Sequence, residues 1–135
     1  MTVRECMTAN PVIVPPDAIL PAVAELMKRG GFRRLPVVKD GHVVGIVTDR
    51  DVKQAMPSDA TSLSIWEINY LVAKIKVSEI MSHPVFSVLE DASLEYAAEQ
   101  MLNHKIGGMP VMYGDQLRGV ITTTDLLRAF VGHRK

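Results

Sequence analysis

Residues 45–51 read GIVTDRD and residues 119–125 read GVITTTD. Each stretch has a glycine three positions before a threonine and an aspartate three positions after it. The second stretch lies 74 positions after the first, and the same offset superposes further identical residues along both halves. These pairs include Met7 with Met81, Ala18 with Ala92, Met27 with Met101, and Pro36 with Pro110. A repeat at one fixed offset indicates that the chain contains the same structural unit twice.

The bulk composition is that of an ordinary globular protein. The 135 residues are 47% hydrophobic and 22% charged, which is enough apolar sequence for a packed core. The formal net charge is zero, which argues against nucleic acid or an anionic membrane as the main partner. The single cysteine, Cys6, allows no internal disulfide, and no signal sequence or long apolar run is present. We therefore expect a cytoplasmic chain that neither spans a membrane nor binds nucleic acid.

The first half of each repeat predicts a strand and then a helix. A β-branched segment after a proline, at 11–14 or 84–88, is typical of an extended strand. Apolar residues at helical spacing follow over 18–30 and 92–107, with Leu102 on the second apolar stripe. The candidate N-caps of these helices are Asp17 and Asp91.

The second half of each repeat predicts a hairpin and a second helix. Apolar strands over 34–48 and 109–122 are interrupted by turn signals. Those signals are Asp40-Gly41 and Gly114-Asp115, and the second helices are expected at 49–56 and 123–131. The order strand–helix–strand–strand–helix, found twice, predicts an α+β fold. The repeats would occupy residues 1–57 and 75–131, with a connecting helical segment at 58–74.

The connecting segment is more apolar than a simple linker. Two adjoining faces would carry its large side chains, namely Leu63, Trp66, Leu71 and Ile75 on one, and Ile65, Ile68 and Val72 beside it. One interpretation is a helix that packs on the repeats. The other is a dimer or partner surface, because an exposed tryptophan among isoleucines is costly to leave in water.

The Thr-x-x-Asp spacing has two interpretations from the residues alone. As a helix start it forms a capping box, in which Thr48 or Thr122 caps the helix and Asp51 or Asp125 accepts from the cap N–H. As a binding site, the same helix start would favour a phosphate, while the ionised aspartate would accept from ribose hydroxyls. Both interpretations stay open at this point.

Three motifs recur in order in both repeats and resemble a known family. They are M-x(2–3)-P-V near each repeat start, the hairpin typified by RLPVVKDG, and Gly-h-x-Thr-x-x-Asp at the end, where h is hydrophobic. This succession resembles the tandem cystathionine-β-synthase (CBS) domain pair, or Bateman module, of small standalone bacterial proteins. The resemblance implies two βαββα-type units packed about a pseudo-twofold axis. It also implies clefts that bind AMP, ADP, ATP or S-adenosylmethionine, and modules that pair into homodimers.

The resemblance assigns roles to particular residues. It implies that Thr48 and Thr122 lie near phosphate and that Asp51 and Asp125 bind ribose, with Arg50 and Thr124 beside them in the motifs. Arg33 and Arg34 resemble the basic pairs that contact phosphate in nucleotide-sensing members, whereas the second repeat has Gly107 and Gly108 there. The two clefts are therefore expected to differ, and which cleft the arginines serve stays open. The implied apolar walls around adenine are Val12, Ile13, Val85, Phe86, Leu35, Pro36, Met109 and Pro110.

Nothing in the sequence favours catalysis. No carboxylate pair stands out as acid and base, and the scattered histidines, His42, His83, His104 and His133, lack metal-site spacing. We expect no enzyme activity, no metal and no required cofactor beyond an adenine nucleotide as ligand. The leading hypothesis is a regulatory nucleotide sensor acting on a partner protein that the sequence does not identify. The alternative is a constitutive interaction or dimerisation module without nucleotide.

Overall fold

The computed structural model describes residues 1–57 and 62–132, and it contains the predicted mixture of helices and strands. In chain order the elements are α1 (Val3–Cys6), β1 (Thr8–Ala9), α2 (Leu20–Gly30), β2 (Arg34–Lys39), β3 (His42–Thr48), α3 (Asp49–Ala55), α4 (Ile65–Val72), α5 (Val77–Ile80), β4 (Val88–Leu89), α6 (Leu94–His104), β5 (Gly108–Tyr113), β6 (Gln116–Thr122) and α7 (Thr123–Phe130). The α+β prediction and the duplication are confirmed, because α2-β2-β3-α3 recurs as α6-β5-β6-α7.

The chain forms two compact units that do not coincide with the sequence repeats. Residues Val12–Pro84 form one, here named the GIVTDRD unit, and Met1–Pro11 join Val85–Lys135 in the other, the GVITTTD unit. The opening residues of each repeat thus pack in the unit built mainly from the other repeat. The predicted bounds, 1–57, 58–74 and 75–131, describe the repeats along the sequence and do not include this exchange of segments.

Backbone hydrogen bonds hold the exchanged segments in place. In the GVITTTD unit, the N–H of Val3 donates to the carbonyl of Ala92 at 2.9 Å. In the GIVTDRD unit, the N–H of Val77 donates to the carbonyl of Ala18 at 2.8 Å. The carbonyls of Met1 and Ile75 accept from the first residues of α6 and α2, Leu94 and Leu20. Each exchanged segment therefore satisfies an otherwise unpaired donor at a helix start.

The sheets are built on the two predicted hairpins. Strands β2 and β3 pair antiparallel in one unit, and β5 and β6 pair antiparallel in the other, where β1 and β4 extend the sheet to the order β1-β6-β5-β4. Asp40 and Gly41 both have positive φ, as a two-residue turn of type I′ requires. The strand predicted at 11–14 is reduced to a bridge between Val14 and Val37, and the strand predicted at 84–88 contributes only Val88–Leu89.

The helices α2 and α6 begin later than predicted and without the predicted aspartate caps. Their N-caps are Ile19, which makes no side-chain hydrogen bond, and Ser93, which accepts from the N–H of Tyr96. Asp17 and Asp91 lie two residues before these caps, so that prediction is wrong. Leu102, predicted on the buried stripe of α6, is exposed, because the core-facing positions of this helix are Leu94, Ala97 and Met101.

The glycines of the two quoted motifs lie where another segment of the same unit crosses the hairpin. A Cβ on Gly45 would overlap the Met81 side chain, while one on Gly119 would lie 2.5 Å from the Thr8 carbonyl oxygen and 2.8 Å from the Met7 sulfur. The methionine of each M-x(2–3)-P-V motif thus covers the glycine of a Gly-h-x-Thr-x-x-Asp motif. Two sequence signatures are explained by one contact, made once in each unit.

The connecting segment forms a short helix, and residues 58–61 lie outside the described part of the chain. Helix α4 is capped by Ser64, which accepts from the N–H of Glu67 at 3.2 Å. Its core-facing residues are Ile68 and Val72, with Ile75 following, whereas Trp66 is 80% exposed. Packing on the core and an exposed apolar face therefore coexist, with Trp66 on the exposed side and not among the packed residues.

Each unit has its own hydrophobic core. In the GIVTDRD unit it is centred on Leu20, Val23, Leu35, Val37 and Val47. In the GVITTTD unit the corresponding residues are Leu94, Ala97, Met109, Val111 and Ile121, and the exchanged segment adds Val3 and Cys6. The apolar residues of the predicted strands and helices therefore form the two cores. Each core includes the hairpin that leads into a Thr-x-x-Asp motif.

Candidate functional site

Both Thr-x-x-Asp motifs form capping boxes where a hairpin runs into a helix. In the first, the N–H of Asp51 donates to Thr48 Oγ1 at 3.1 Å and the N–H of Thr48 donates to Asp51 Oδ2 at 2.9 Å. In the second, Thr122 and Asp125 make the same two bonds, at 3.3 Å and 2.9 Å. The helix-start interpretation is therefore confirmed for both motifs.

The strand register places Arg33 and Arg34 beside the first motif. Arg34 pairs with Thr48 across the hairpin, and the N–H of Asp49 donates to the carbonyl of Arg33 at 2.8 Å. Arg50, in the motif itself, is exposed. Three arginines thus lie close together along the backbone, two at the start of β2 and one at the start of α3. Guanidinium groups are well suited to phosphate recognition.

The second motif has the same backbone geometry without the arginines. Gly108 pairs with Thr122, and the N–H of Thr123 donates to the carbonyl of Gly107 at 3.0 Å. Gly107, Gly108 and Thr124 occupy the positions of Arg33, Arg34 and Arg50. The two motifs therefore differ in charge at equivalent positions, as the sequence comparison predicts.

The two aspartates differ in their surroundings. Asp51 is half-buried, whereas the Asp125 side chain is only 2% exposed. Asp125 Oδ2 also accepts from the Thr122 hydroxyl at 3.1 Å, and its Oδ1 lies 3.9 Å from Arg128 Nη1. This difference has no signature in the Thr-x-x-Asp motif, and only Arg128, three residues beyond it, indicates it.

The predicted apolar lining divides into exposed and buried residues. Val12, Ile13 and Phe86 are exposed and Val85 is half-buried. The others, Leu35, Pro36, Met109 and Pro110, are fully buried and belong to the hairpin interiors. In the GIVTDRD unit, the N–H of Val14 donates to the carbonyl of Pro36 at 3.1 Å, so the exposed segment 12–13 runs beside the strand that begins at Arg34.

Two features of the GVITTTD unit were not predicted from the sequence. The Phe86 ring stacks on His104, with ring centroids 3.7 Å apart and an angle of 13° between the planes. An apolar groove of about 440 Å³ lies between α6 and α7. Its lining consists of Met1, Leu94, Glu95, Ala98, Leu126, Leu127, Ala129 and Phe130. The helical periodicity of α7 could have indicated the groove, but the stack depends on the path of the loop before β4.

Residues 1–57 and 62–132 contain no metal site and no membrane-spanning helix. Within these ranges no three of the His, Cys, Asp and Glu side chains are grouped as a metal site requires. The helices in the same ranges are all too short or too polar to cross a bilayer. His133, one of the four histidines considered from the sequence, lies outside the described residues.

The family model described as "CBS domain" matches residues 3–58 and 77–132. The chain belongs to the CBS domain family. Both matches contain a complete hairpin and its Thr-x-x-Asp motif, so this CBS chain carries the motif geometry twice. The homoserine O-acetyltransferase of Methanosalsum zhilinae is 38% identical over 62% of this chain, and the matched stretch is 18% of the length of that enzyme.

Individual relatives agree with this assignment. The uncharacterized protein MJ1225 of Methanocaldococcus jannaschii is 32% identical over 95% of this chain, which spans 46% of the length of that protein. The CBS domain pair of protein MJ0100, solved with 5′-methylthioadenosine and S-adenosyl-L-methionine, has a TM-score of 0.81 at 25% identity, covering 98% of this chain and 97% of that one. CBSX2, solved in complex with AMP, has a TM-score of 0.75 at 28% identity, with 96% of each chain covered.

Proposed function

We propose that this CBS pair is a regulatory module that binds an adenosine ligand carrying phosphate, namely AMP, ADP or ATP. The observation that carries the proposal is the backbone proximity of Arg33, Arg34 and Arg50 to the Thr48–Asp51 capping box. Similar CBS pairs bind AMP, S-adenosylmethionine and methylthioadenosine, which supports an adenosine ligand as the class. Among these, the arginines favour a ligand with a phosphate over the sulfonium nucleoside.

Each group of the motif has a chemical task in this proposal. Asp51 Oδ2 is occupied by the cap N–H, while Oδ1 keeps acceptor capacity for ribose hydroxyls. The guanidinium groups pair with phosphate oxygens, and the exposed apolar residues Val12 and Ile13 offer a surface for adenine. The residues that line the ligand would thus come from Val12, Ile13, Arg33, Arg34, Thr48, Arg50 and Asp51. The equivalent positions of the second motif hold Val85, Phe86, Thr122, Thr124 and Asp125. The fully buried Leu35, Pro36, Met109 and Pro110 would support these walls from the two cores.

No catalysis is part of this function. The ligand would signal by binding two conformations or assembly states of the chain with different affinity, because a ligand with equal affinity for both shifts neither. The buried thiol of Cys6 suits a reducing compartment, and we place the protein in the cytoplasm, acting on a partner protein.

The test is thermal unfolding with a panel of AMP, ADP, ATP, adenosine, methylthioadenosine and S-adenosylmethionine at millimolar concentration. A ligand at 100 times its Kd stabilises the native state by about 2.7 kcal/mol, or roughly 8 °C in Tm for a chain of this size. Asp51→Ala should reduce the shift. Asp49→Ala is the matched control, since it removes a carboxylate that faces Lys53 in the same helical turn. If no compound on the panel raises Tm, nucleotide sensing is wrong.

A second candidate function is a constitutive dimerisation module, favoured by exposed apolar side chains on three helices. Ile65, Trp66 and Tyr70 on α4 are exposed, as are Leu102 on α6 and Leu127 and Phe130 on α7. Exposed apolar groups of this size are typical of protein interfaces, both on α4 in the GIVTDRD unit and on α6 and α7 in the GVITTTD unit. Trp66→Ser and Phe130→Ser should each be examined by light scattering. A homodimer in the wild type that becomes a monomer in one variant identifies the surface responsible, and an unchanged mass in both rejects both surfaces.

A further inference from the structure

The two motif aspartates are equivalent in sequence and unequal in their partners. Asp125 has one oxygen occupied by the N–H and hydroxyl of Thr122, and Arg128 lies 3.9 Å from the other. The Arg128 guanidinium reaches it from one helical turn further along α7, and the carboxylate is 2% exposed. Both oxygens of Asp125 are thus engaged within the chain's own GVITTTD unit.

Asp51 has the same cap and a different neighbour. Gln54 stands where Arg128 stands in the second repeat, three residues after the aspartate. Among residues 1–57 and 62–132, no lysine or arginine forms an ion pair with Asp51. Its side chain is half-buried, and within the same two ranges its hydrogen bond is accepted by Oδ2, from the N–H of Thr48.

We infer that Arg128 closes the second motif and that Gln54 leaves the first one open, so that each chain binds one nucleotide, through Asp51. This inference rests on the proposed function and names the residue pair that decides which motif is used. A ribose that approached Asp125 would have to displace a cation from a buried carboxylate, which leaves charge without its partner. In the part of the chain that the structure describes, Asp51 has no such ion pair, so a ribose can approach it without that loss.

The surrounding charges act in the same direction. Arg33, Arg34 and Arg50 lie near the open aspartate, whereas Gly107, Gly108 and Thr124 surround the closed one. The cation in the second motif therefore lies against the chain's own carboxylate, whereas the exposed side chains of Arg33 and Arg50 beside the first motif are accessible to a ligand. Helix α7 keeps its capping box either way, so the second motif retains its structural task.

The test is calorimetric titration of the full chain with AMP. We expect one AMP per wild-type chain. Gln54→Arg should weaken AMP binding at least fivefold by pairing with Asp51, although an added cation would strengthen binding of an anion if charge alone mattered. Gln54→Ala is the matched control, with a Kd within twofold of wild type, and Arg128→Gln should also stay within twofold. Two AMP per wild-type chain, an unchanged or tighter Kd in Gln54→Arg, or a loss of binding in Arg128→Gln would overturn the inference.

A second measurement separates this inference from the proposed function. Urea unfolding of Arg128→Gln, Asp125→Asn and the double variant measures the coupling between the two side chains without any nucleotide. Closure predicts that the double variant has a midpoint well above the value expected if the two losses were additive. If AMP fails to bind but this coupling is present, the proposed function is wrong and the closed second motif stands. If the coupling is absent, Arg128 does not close the motif, whatever AMP does.

Discussion

Substituting alanine for the motif glycines should affect the two units unequally. A Cβ at Gly119 would lie 2.5 Å from the backbone oxygen of Thr8, which is held in β1 by pairing with β6. A Cβ at Gly45 would meet only side-chain atoms of Met81 among its three nearest neighbours. A backbone oxygen in a paired strand cannot move without loss of that pairing, whereas a methionine can change rotamer at small cost.

The magnitudes follow from two opposing terms. Overpacking a closed contact costs about 1–3 kcal/mol, while Gly→Ala gains about 0.4–1 kcal/mol by restricting the unfolded chain. Neither glycine has a positive φ, so no backbone strain is added. We expect Gly119→Ala to lose about 1–2 kcal/mol of unfolding free energy and Gly45→Ala to lose no more than about 1 kcal/mol.

The assay is urea unfolding followed by circular dichroism, with each glycine variant combined with alanine at its covering methionine. The loss of unfolding free energy in the double variant Gly45→Ala/Met81→Ala should be smaller than the sum of the two single losses, because removing the thioether removes the overlap. Met7→Ala should relieve much less of the destabilisation caused by Gly119→Ala, because the overlap with the Thr8 oxygen remains. Equal costs for the two glycine variants, or equal relief by the two methionine variants, would refute the crossing contact as the reason for these glycines.

Three further outcomes are expected. Ser64→Ala should lower the unfolding free energy by about 1 kcal/mol through the lost cap of α4, and should reduce the helical signal that the control Ser62→Ala leaves unchanged. The Glu90 carboxylate is buried and lies 3.9 Å from both Arg4 and Arg118, and Glu90→Gln should lower the unfolding free energy by only about 1 kcal/mol because both arginines reach solvent. Replacing both arginines by methionine should cost more, because the buried carboxylate then loses both partners. The reverse order of the two costs in urea unfolding contradicts this account. Gly41→Val should cost about 1–2 kcal/mol, since Gly41 has φ of 79°, whereas Gln116→Val beside the other turn should change stability by less than about 0.5 kcal/mol in the same measurement.

The sequence predicts the local elements well where one side-chain pattern decides them. The hairpins, their turns and the two capping boxes depend on residues within a few positions of one another, and all were predicted. The N-caps at Asp17 and Asp91 were wrong because the helices begin where the chain meets the carbonyls of Ile75 and Met1, which are distant in sequence. The short helices α1 and α5 were missed for a different reason, because four residues carry no periodic signal.

The candidate site shows the same division. The position of Arg33 and Arg34 beside Thr48 follows from the hairpin register, which the turn determines, and so could be predicted from the repeat. Which of the predicted apolar residues are accessible could not, because Leu35 and Met109 lie inside the cores while Val12 and Phe86 lie outside them. The buried and the exposed residues are all apolar, and only the packing of each unit determines which of them are accessible.

The amino-acid sequence by itself determined the duplication, the α+β order of each repeat and the unequal charge of the two Thr-x-x-Asp motifs, because all three are written in residue types at a fixed offset. Only the tertiary structure decided the exchange of the opening segments, which depends on backbone hydrogen bonds between residues about 60 to 90 positions apart, as between Ala18 and Val77 and between Val3 and Ala92. It also decided that Asp125 is buried against Arg128 while Asp51 is half-exposed. Burial is a property of the packed unit, so two aspartates with the same motif can differ in what they are able to bind.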